Sequence, residues 1–182
     1  MQDELMLRYN RQIMLPELDY DGQLALVNSK VLILGLGGLG SPAAMYLAAA
    51  GLGELWLVDD DQVELSNLQR QIIHRENSVG EDKVASAQQG IAQLNHHVAV
   101  NTWAKRLEEA ELRALIEQVD VVLDCTDNFS SRYLTNRLCV ETRTPLVSAA
   151  AIRWEGQLMV VDPNVENAPC YECLYGGGQD QQ

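Results

Sequence analysis

The sequence predicts a doubly wound α/β domain, a mostly parallel sheet with helices on both faces. Three observations carry that prediction. The apolar runs VLILG (31–35), ELWLV (54–58) and VVLDC (121–125) lack polar alternation, as strands buried on both faces require. Segments of helical character separate them, the arrangement that builds parallel sheets. The polar clusters GLGGLG (35–40), DDD (59–61) and DCTDN (124–128) each follow a strand directly. Open α/β sheets bind their ligands beyond the carboxyl ends of strands.

In chain order, residues 3–14 mix apolar and polar positions as a short amphipathic helix does, and carry Arg8 and Arg11. Residues 22–28 add another helical turn or two before the first strand. Ser41 and Pro42 suit a helix start, with Ser41 as cap, and Gly51 suits its stop. The second strand ends in three carboxylates. Residues 62–80 have weak periodicity and many polar groups, and read as a long functional loop. A helix follows over 81–94, flawed by Gly90, then a strand over 98–103, an amphipathic helix over 107–119 and the strand 121–126. After the polar turn TDNFSS, helical character runs to about Arg143. PLVSAA (145–150) and GQLMVVD (156–162) are the last strands. With no internal repeat or linker, residues 1–175 form one domain that includes the N-terminal helices of 1–30. Residues 176–182 have nothing to pack and are expected to be a disordered tail.

Composition narrows the function. A formal net charge of -13, with only 13 Lys and Arg, argues against a nucleic-acid partner. No apolar run approaches the roughly 18 residues of a membrane span, and the acidic start MQDELMLRYN fits no signal peptide. Of four cysteines, Cys125 and Cys139 lie in apolar contexts while Cys170 and Cys173 form a CxxC, a usage suited to the cytoplasm.

Gly35, Gly37 and Gly40 match GxGxxG, with Gly38 as a fourth glycine, the mark of a Rossmann-like phosphate loop. Asp59 lies 19 residues beyond Gly40, where such folds place a carboxylate for ribose hydroxyls. To this point NAD and ATP fit equally. The segment SNLQRQ (66–71) and Lys83 then supply donors suited to a polyphosphate, chiefly Asn67, Arg70 and Lys83. Arg70 and Lys83 also have a plainer reading as surface charges. Asp127, at a strand end, suits Mg²⁺ held against phosphates, although Asp127 and Asn128 are also ordinary turn residues.

RYNRQ (8–12), GLGGLG, DDDQVELSNLQRQ (59–71), Lys83, DCTDN, SAAAIRWEGQL (148–158) and CYECL (170–174) together resemble the MoeB/ThiF family, over nearly the whole chain and in order. These are bacterial relatives of ubiquitin-activating enzymes. The resemblance implies an adenylyltransferase that binds ATP and Mg²⁺ and activates the Gly-Gly carboxylate of a ubiquitin-like sulfur-carrier protein. A sulfur donor protein would then convert the adenylate to a thiocarboxylate, for thiamin-thiazole or molybdopterin synthesis. By family likeness the nucleotide lies on Gly35, Gly37, Gly38, Gly40, Asp59, the run Ser66, Asn67, Leu68, Gln69 and Arg70, then Lys83, Asp127 and Asn128. Arg11, Arg70, Lys83 and Asp127 would be catalytic, with Asp127 on Mg²⁺ and Arg11 entering the partner subunit's site in a homodimer. The family's zinc takes two CxxC pairs. Cys170 and Cys173 match the first, and the second belongs to a C-terminal portion that this chain does not include, so a truncated form is expected. DDDQVELSNLQRQ and GQLMVV lean to the thiamin branch, SAAAIRWEG to the molybdopterin branch. Two other functions compete: a non-catalytic nucleotide-binding scaffold for the carrier, and a nicotinamide-dependent oxidoreductase, which leaves SNLQRQ unexplained.

Overall fold

The computed structural model describes residues 3–176. Six strands form one sheet in the order β3-β2-β1-β4-β5-β6. The strands are β1 Lys30–Leu34, β2 Glu54–Val58, β3 Ala99–Trp103, β4 Val121–Asp124, β5 Leu146–Ile152 and β6 Glu155–Val161. β1 to β5 are mutually parallel, and β6 returns antiparallel to β5 as a hairpin. That hairpin is the one departure from a parallel sheet, because a short Arg153–Trp154 turn leaves no length for a crossover helix.

β1 shows why the central strands read as unbroken apolar runs. Val31 and Ile33 face one hydrophobic layer with α4 (Gly40–Ala50) and α5 (Lys83–Leu94). Leu32 and Leu34 face the other, shared with α6 (Glu109–Ile116) and α7 (Phe129–Thr142). Every one of these side chains is 5% exposed or less, so each contributes about 1.5–3 kcal/mol of burial free energy.

The N-terminal segment folds as α1 (Asp3–Arg8), α2 (Asn10–Ile13) and α3 (Asp19–Asn28), so the single helix expected over 3–14 is broken at Tyr9. Tyr9 is 2% exposed and its hydroxyl accepts from Asn95 Nδ2 at 2.8 Å. Gly51 ends α4 at φ +88°, and a Cβ there would lie 2.4 Å from Tyr9 Cζ. Glycine therefore serves both the left-handed cap and the seat of the Tyr9 ring. Gln12 and Gln23 both donate to Ala50 O at 3.0 Å, completing the anchor.

Ser41 does not cap α4. The helix starts one residue earlier, and Ser41 Oγ instead donates to Leu36 O at 2.9 Å, bracing the glycine loop from within. Gly90 is no flaw: its bare Cα lets Ile73 O come within 3.0 Å of where a Cβ would stand. Residues 62–80 are an ordered loop with 3-10 turns at Leu65–Asn67 and Glu76–Ser78. Its two ends are zipped by Val63 N–H to Glu81 O and Gly80 N–H to Val63 O, both 2.9 Å. At the other terminus α8 (Tyr171–Tyr175) packs on α7, and Tyr133 Oη donates to Gly176 O at 3.1 Å. The rest of the expected disordered tail, 177–182, lies outside the described residues.

Candidate active site

The glycine loop leaves β1 at the centre of the sheet, between β2 and β4. Gly35 takes φ +87° and its N–H donates to Val58 O at 2.9 Å. A Cβ at Gly40 would lie 1.9 Å from Gly35 O, so these two glycines close the turn on itself. Gly37 and Gly38 do different work. They line an open cleft of ≈ 1330 Å³, and their nearest neighbours are side chains, Gln71 and Arg70 respectively.

Asp59, at the end of β2, accepts the Leu36 N–H on Oδ2 at 2.6 Å and the Asp61 N–H on Oδ1 at 2.9 Å. Lys83 opens α5 with its side chain only 7% exposed; Nζ donates to Asp61 Oδ2 at 2.7 Å and stands 4.0 Å from Asp59 Oδ1. Arg70 lies along Gly38, its Cδ 3.5 Å from the glycine's would-be Cβ, and donates to Ser66 O at 3.2 Å. Across the cleft, Asp127 is exposed and has no hydrogen bond or ion pair among the described residues. That is the free donor state a hard divalent cation takes.

The other sequence candidates divide. Asn67 lines the cleft, but its Oδ1 accepts the Glu64 N–H at 3.2 Å and so holds the 65–67 turn. Asn128 also lines it, while its Oδ1 caps α7 by accepting from Ser131 N–H at 2.9 Å. Ser66, Leu68 and Gln69 are not on the cleft wall, and Ser66 Oγ donates to Glu64 Oε2 at 3.0 Å. Arg11 is exposed on α2, beside the C-terminal end of α4. A helix of 11 residues is about 16 Å long, which places Arg11 roughly that far from its own glycine loop.

Several site groups escaped the sequence reading. Asp124 ends β4 fully buried, accepting from Thr126 N–H at 3.0 Å and from Thr126 Oγ1 at 2.6 Å. Burial pushes its carboxyl above the usual range, with Thr126 and Arg132 opposing. Arg132, 6% exposed, donates to Thr126 O and so braces the 124–128 turn that presents Asp127. Lys105 and Arg106, in the loop after β3, also line the cleft. With Arg70, Lys83 and Arg132 they make five of the chain's 13 Lys and Arg that line the cleft. The signal was available, since Lys105 and Arg106 also follow a strand. Gln71, 3% exposed, leaves Oε1 without a partner beside Gly37.

Cys170 and Cys173 place their sulfurs 3.3 Å apart at the start of α8. Burial raises the Cys170 thiol, but hydrogen bonds from Asn136, Cys173 and Glu172 outweigh it and lower the thiol below its usual range. The pair supplies two ligands of the four a structural zinc takes, and no third metal-binding group stands near it among the described residues. Cys125 and Cys139 are no substitutes: burial pushes both thiols up to about 12.

A parallel sheet in the order 3-2-1-4-5, a glycine turn at its switch point and a carboxylate at the end of β2 define a Rossmann-type α/β protein. The chain belongs to the ThiF family, whose profile matches residues 9–182. It is 52% identical over 172 residues to the molybdopterin-synthase adenylyltransferase of Escherichia coli K12, covering 94% of this chain and 69% of that protein. It is 46% identical over all 182 residues to the sulfur carrier protein ThiS adenylyltransferase of the same organism, 72% of which it spans. Among solved structures, E. coli MccB with ATP superposes with a TM-score of 0.77 at 30% identity, over 83% of this chain and 46% of that one. Among the described residues, no helix is long and apolar enough to cross a membrane.

Proposed function

We propose that this chain binds ATP with Mg²⁺ in the cleft and adenylates the Gly-Gly carboxylate of a ubiquitin-like sulfur-carrier protein. Its adenylyltransferase relatives, and the ATP in the MccB crystal, support that reading. One observation carries it: Arg70 and Lys83 flank the glycine turn while the unpartnered Asp127 faces them from the end of β4.

In the reaction the carrier's carboxylate oxygen bonds to the α-phosphorus, the bond to the bridging oxygen breaks, and pyrophosphate leaves with its electron pair. The nucleophile is ionised at neutral pH, so no general base is required. What the chain supplies is position and charge. Gly37 and Gly38 let the loop backbone approach the phosphates, and Asp59 orients the ribose hydroxyls. Arg70 slides along the open face of Gly38 toward the phosphates. Lys83 exchanges its contact with the exposed Asp61 for a phosphate oxygen. Asp127 holds Mg²⁺, which when bound neutralises the negative charge of the phosphates. Arg11, remote from its own cleft, reaches the site of a second copy in a homodimer. A sulfur donor then acts on the adenylate. Free thiols and an acidic surface suit the cytoplasm.

The test is ATP–pyrophosphate exchange with the thiamin-branch and molybdopterin-branch carriers in turn. The identity figures favour the molybdopterin carrier, against the lean of DDDQVELSNLQRQ. Arg70→Ala and Asp127→Ala should each lower carrier-dependent exchange by about 10²–10³-fold with the fold intact. Near-normal exchange in either variant refutes its role. Carrier binding without exchange in the unaltered chain would instead establish the scaffold.

A further inference from the structure

Away from the cleft, His96 and His97 form the turn between α5 and β3, and Glu4 of α1 reaches over them. One ligand atom from each lies within 4.8 Å of the other two. The two imidazole ring centroids lie 4.0 Å apart, with the planes tilted by 38°. His97 Nε2 is shielded from solvent and makes no hydrogen bond, although Glu4 Oε1 is 3.6 Å away. A hydrogen bond is shorter than that. Ligands at 2.0–2.2 Å around a tetrahedral ion stand about 3.4 Å apart, close to the observed gap.

We propose that Glu4, His96 and His97 form a binding site for a late first-row divalent ion of the Zn²⁺ or Ni²⁺ kind, with water completing the coordination. Two imidazoles and a carboxylate are the donor set such ions select over Mg²⁺ or Ca²⁺. The turn is built to present them. Asn95 is 1% exposed and its side chain binds Tyr9 Oη and Ala48 O, while its Oδ1 accepts the His97 N–H at 3.3 Å. The histidine pair therefore stands on a rigid base. Glu4 belongs to a helix with no buried residue, held near this turn also by Arg8, whose guanidinium donates to Leu94 O. The ion thus ties α1 to the body and steadies the segment that leads into α2 and Arg11. This site is independent of the adenylation reading.

Tag-free protein, purified with chelator, would be titrated with Ni²⁺ and with Co²⁺ by calorimetry and visible absorption. Cobalt on thiolates gives an intense sulfur-to-metal charge-transfer band, so binding at Cys170 and Cys173 is recognisable, and Cys170→Ser/Cys173→Ser removes it. The expected result is one ion per chain, without that band, that survives the double serine variant. His96→Ala, His97→Ala and Glu4→Gln should each weaken it at least about tenfold. Amide exchange of residues 3–8 should slow on adding Ni²⁺. Binding that disappears with the two cysteines, or is indifferent to both histidine variants, overturns the proposal and leaves His97 and Glu4 a surface ion pair.

Discussion

The carboxylate of Asp59 accepts the backbone N–H of Leu36 at 2.6 Å, joining the end of β2 to the glycine loop that follows β1. The same group that would orient the ribose therefore also holds the phosphate loop in shape. Asp59→Ala removes a charge-assisted bond, about 1.5–3 kcal/mol, and the KM for ATP in pyrophosphate exchange should rise roughly 10- to 100-fold. Asp59→Asn keeps an acceptor for Leu36 and should recover thermal stability more than KM. Equal recovery of both would confine Asp59 to a structural role.

The loop's glycines should separate by function. A methyl at Gly40 meets the carbonyl of Gly35 at 1.9 Å, and neither backbone atom can move without opening the turn. Gly40→Ala should cost more than about 4 kcal/mol, or prevent folding. At Gly38 the nearest atom is Arg70 Cδ at 3.5 Å, an ordinary contact with a movable side chain. Gly38→Ala should leave the urea midpoint unchanged and reduce exchange by restricting Arg70. A large loss of stability in Gly38→Ala would show that its Cα, too, is part of the turn.

Central strands were legible in the sequence because burial on both faces demands unbroken apolar runs, and β1 shows this residue by residue. Asp59 and Asp127 could be named as candidates because each follows such a strand, and Arg70 and Lys83 because their side chains are donors suited to phosphate; the fold brings all four to one cleft. The antiparallel β6 was not, since its residues would suit either direction and only the short 153–154 turn decides. Ser41 misled because a Ser-Pro pair fits a helix cap, whereas its hydroxyl finds Leu36 O through the folded loop. Asp124 and Asp127 look alike in DCTDN. Tertiary packing buries the first and frees the second. Arg106 and Arg132 belong to no motif in the sequence, and only the fold brings them to the cleft.

The four thiols should differ sharply in reactivity. Burial raises Cys125 and Cys139 to about 12, so at pH 8 only about one molecule in 10⁴ carries either thiolate. The Cys170 thiol is lowered, and Cys173 is exposed. In the native protein, freed of metal by chelator, an alkylating reagent at pH 8 should modify two cysteines quickly and all four only in denaturant. Mass mapping would place the first two labels on Cys170 and Cys173. Rapid native labelling of Cys139 would mean that the α7–sheet layer opens readily.

His74 makes the glycine loop's support sensitive to acid. It is 4% exposed, with Nδ1 at 2.9 Å from Ser86 Oγ and Nε2 facing Leu36 O at 3.4 Å. Burial lowers its pKa from 6.5, with Lys83 and Arg75 adding to that, while Leu36 O and Asp59 oppose it. Above pH 6.5 the ring is neutral in both folded and unfolded chains and pH has no effect through it. Below that, the unfolded chain takes up a proton that the folded chain resists, so stability is lost as pH falls from 6.5 toward the lower folded value. The slope is at most about 1.4 kcal/mol per pH unit. Urea midpoints should therefore drop between pH 7.5 and 5.5, above the range where ordinary carboxylates titrate. His74→Gln should flatten that drop, even if the variant is less stable throughout. A variant whose midpoint falls in parallel with the unaltered protein would assign the acid sensitivity to another group.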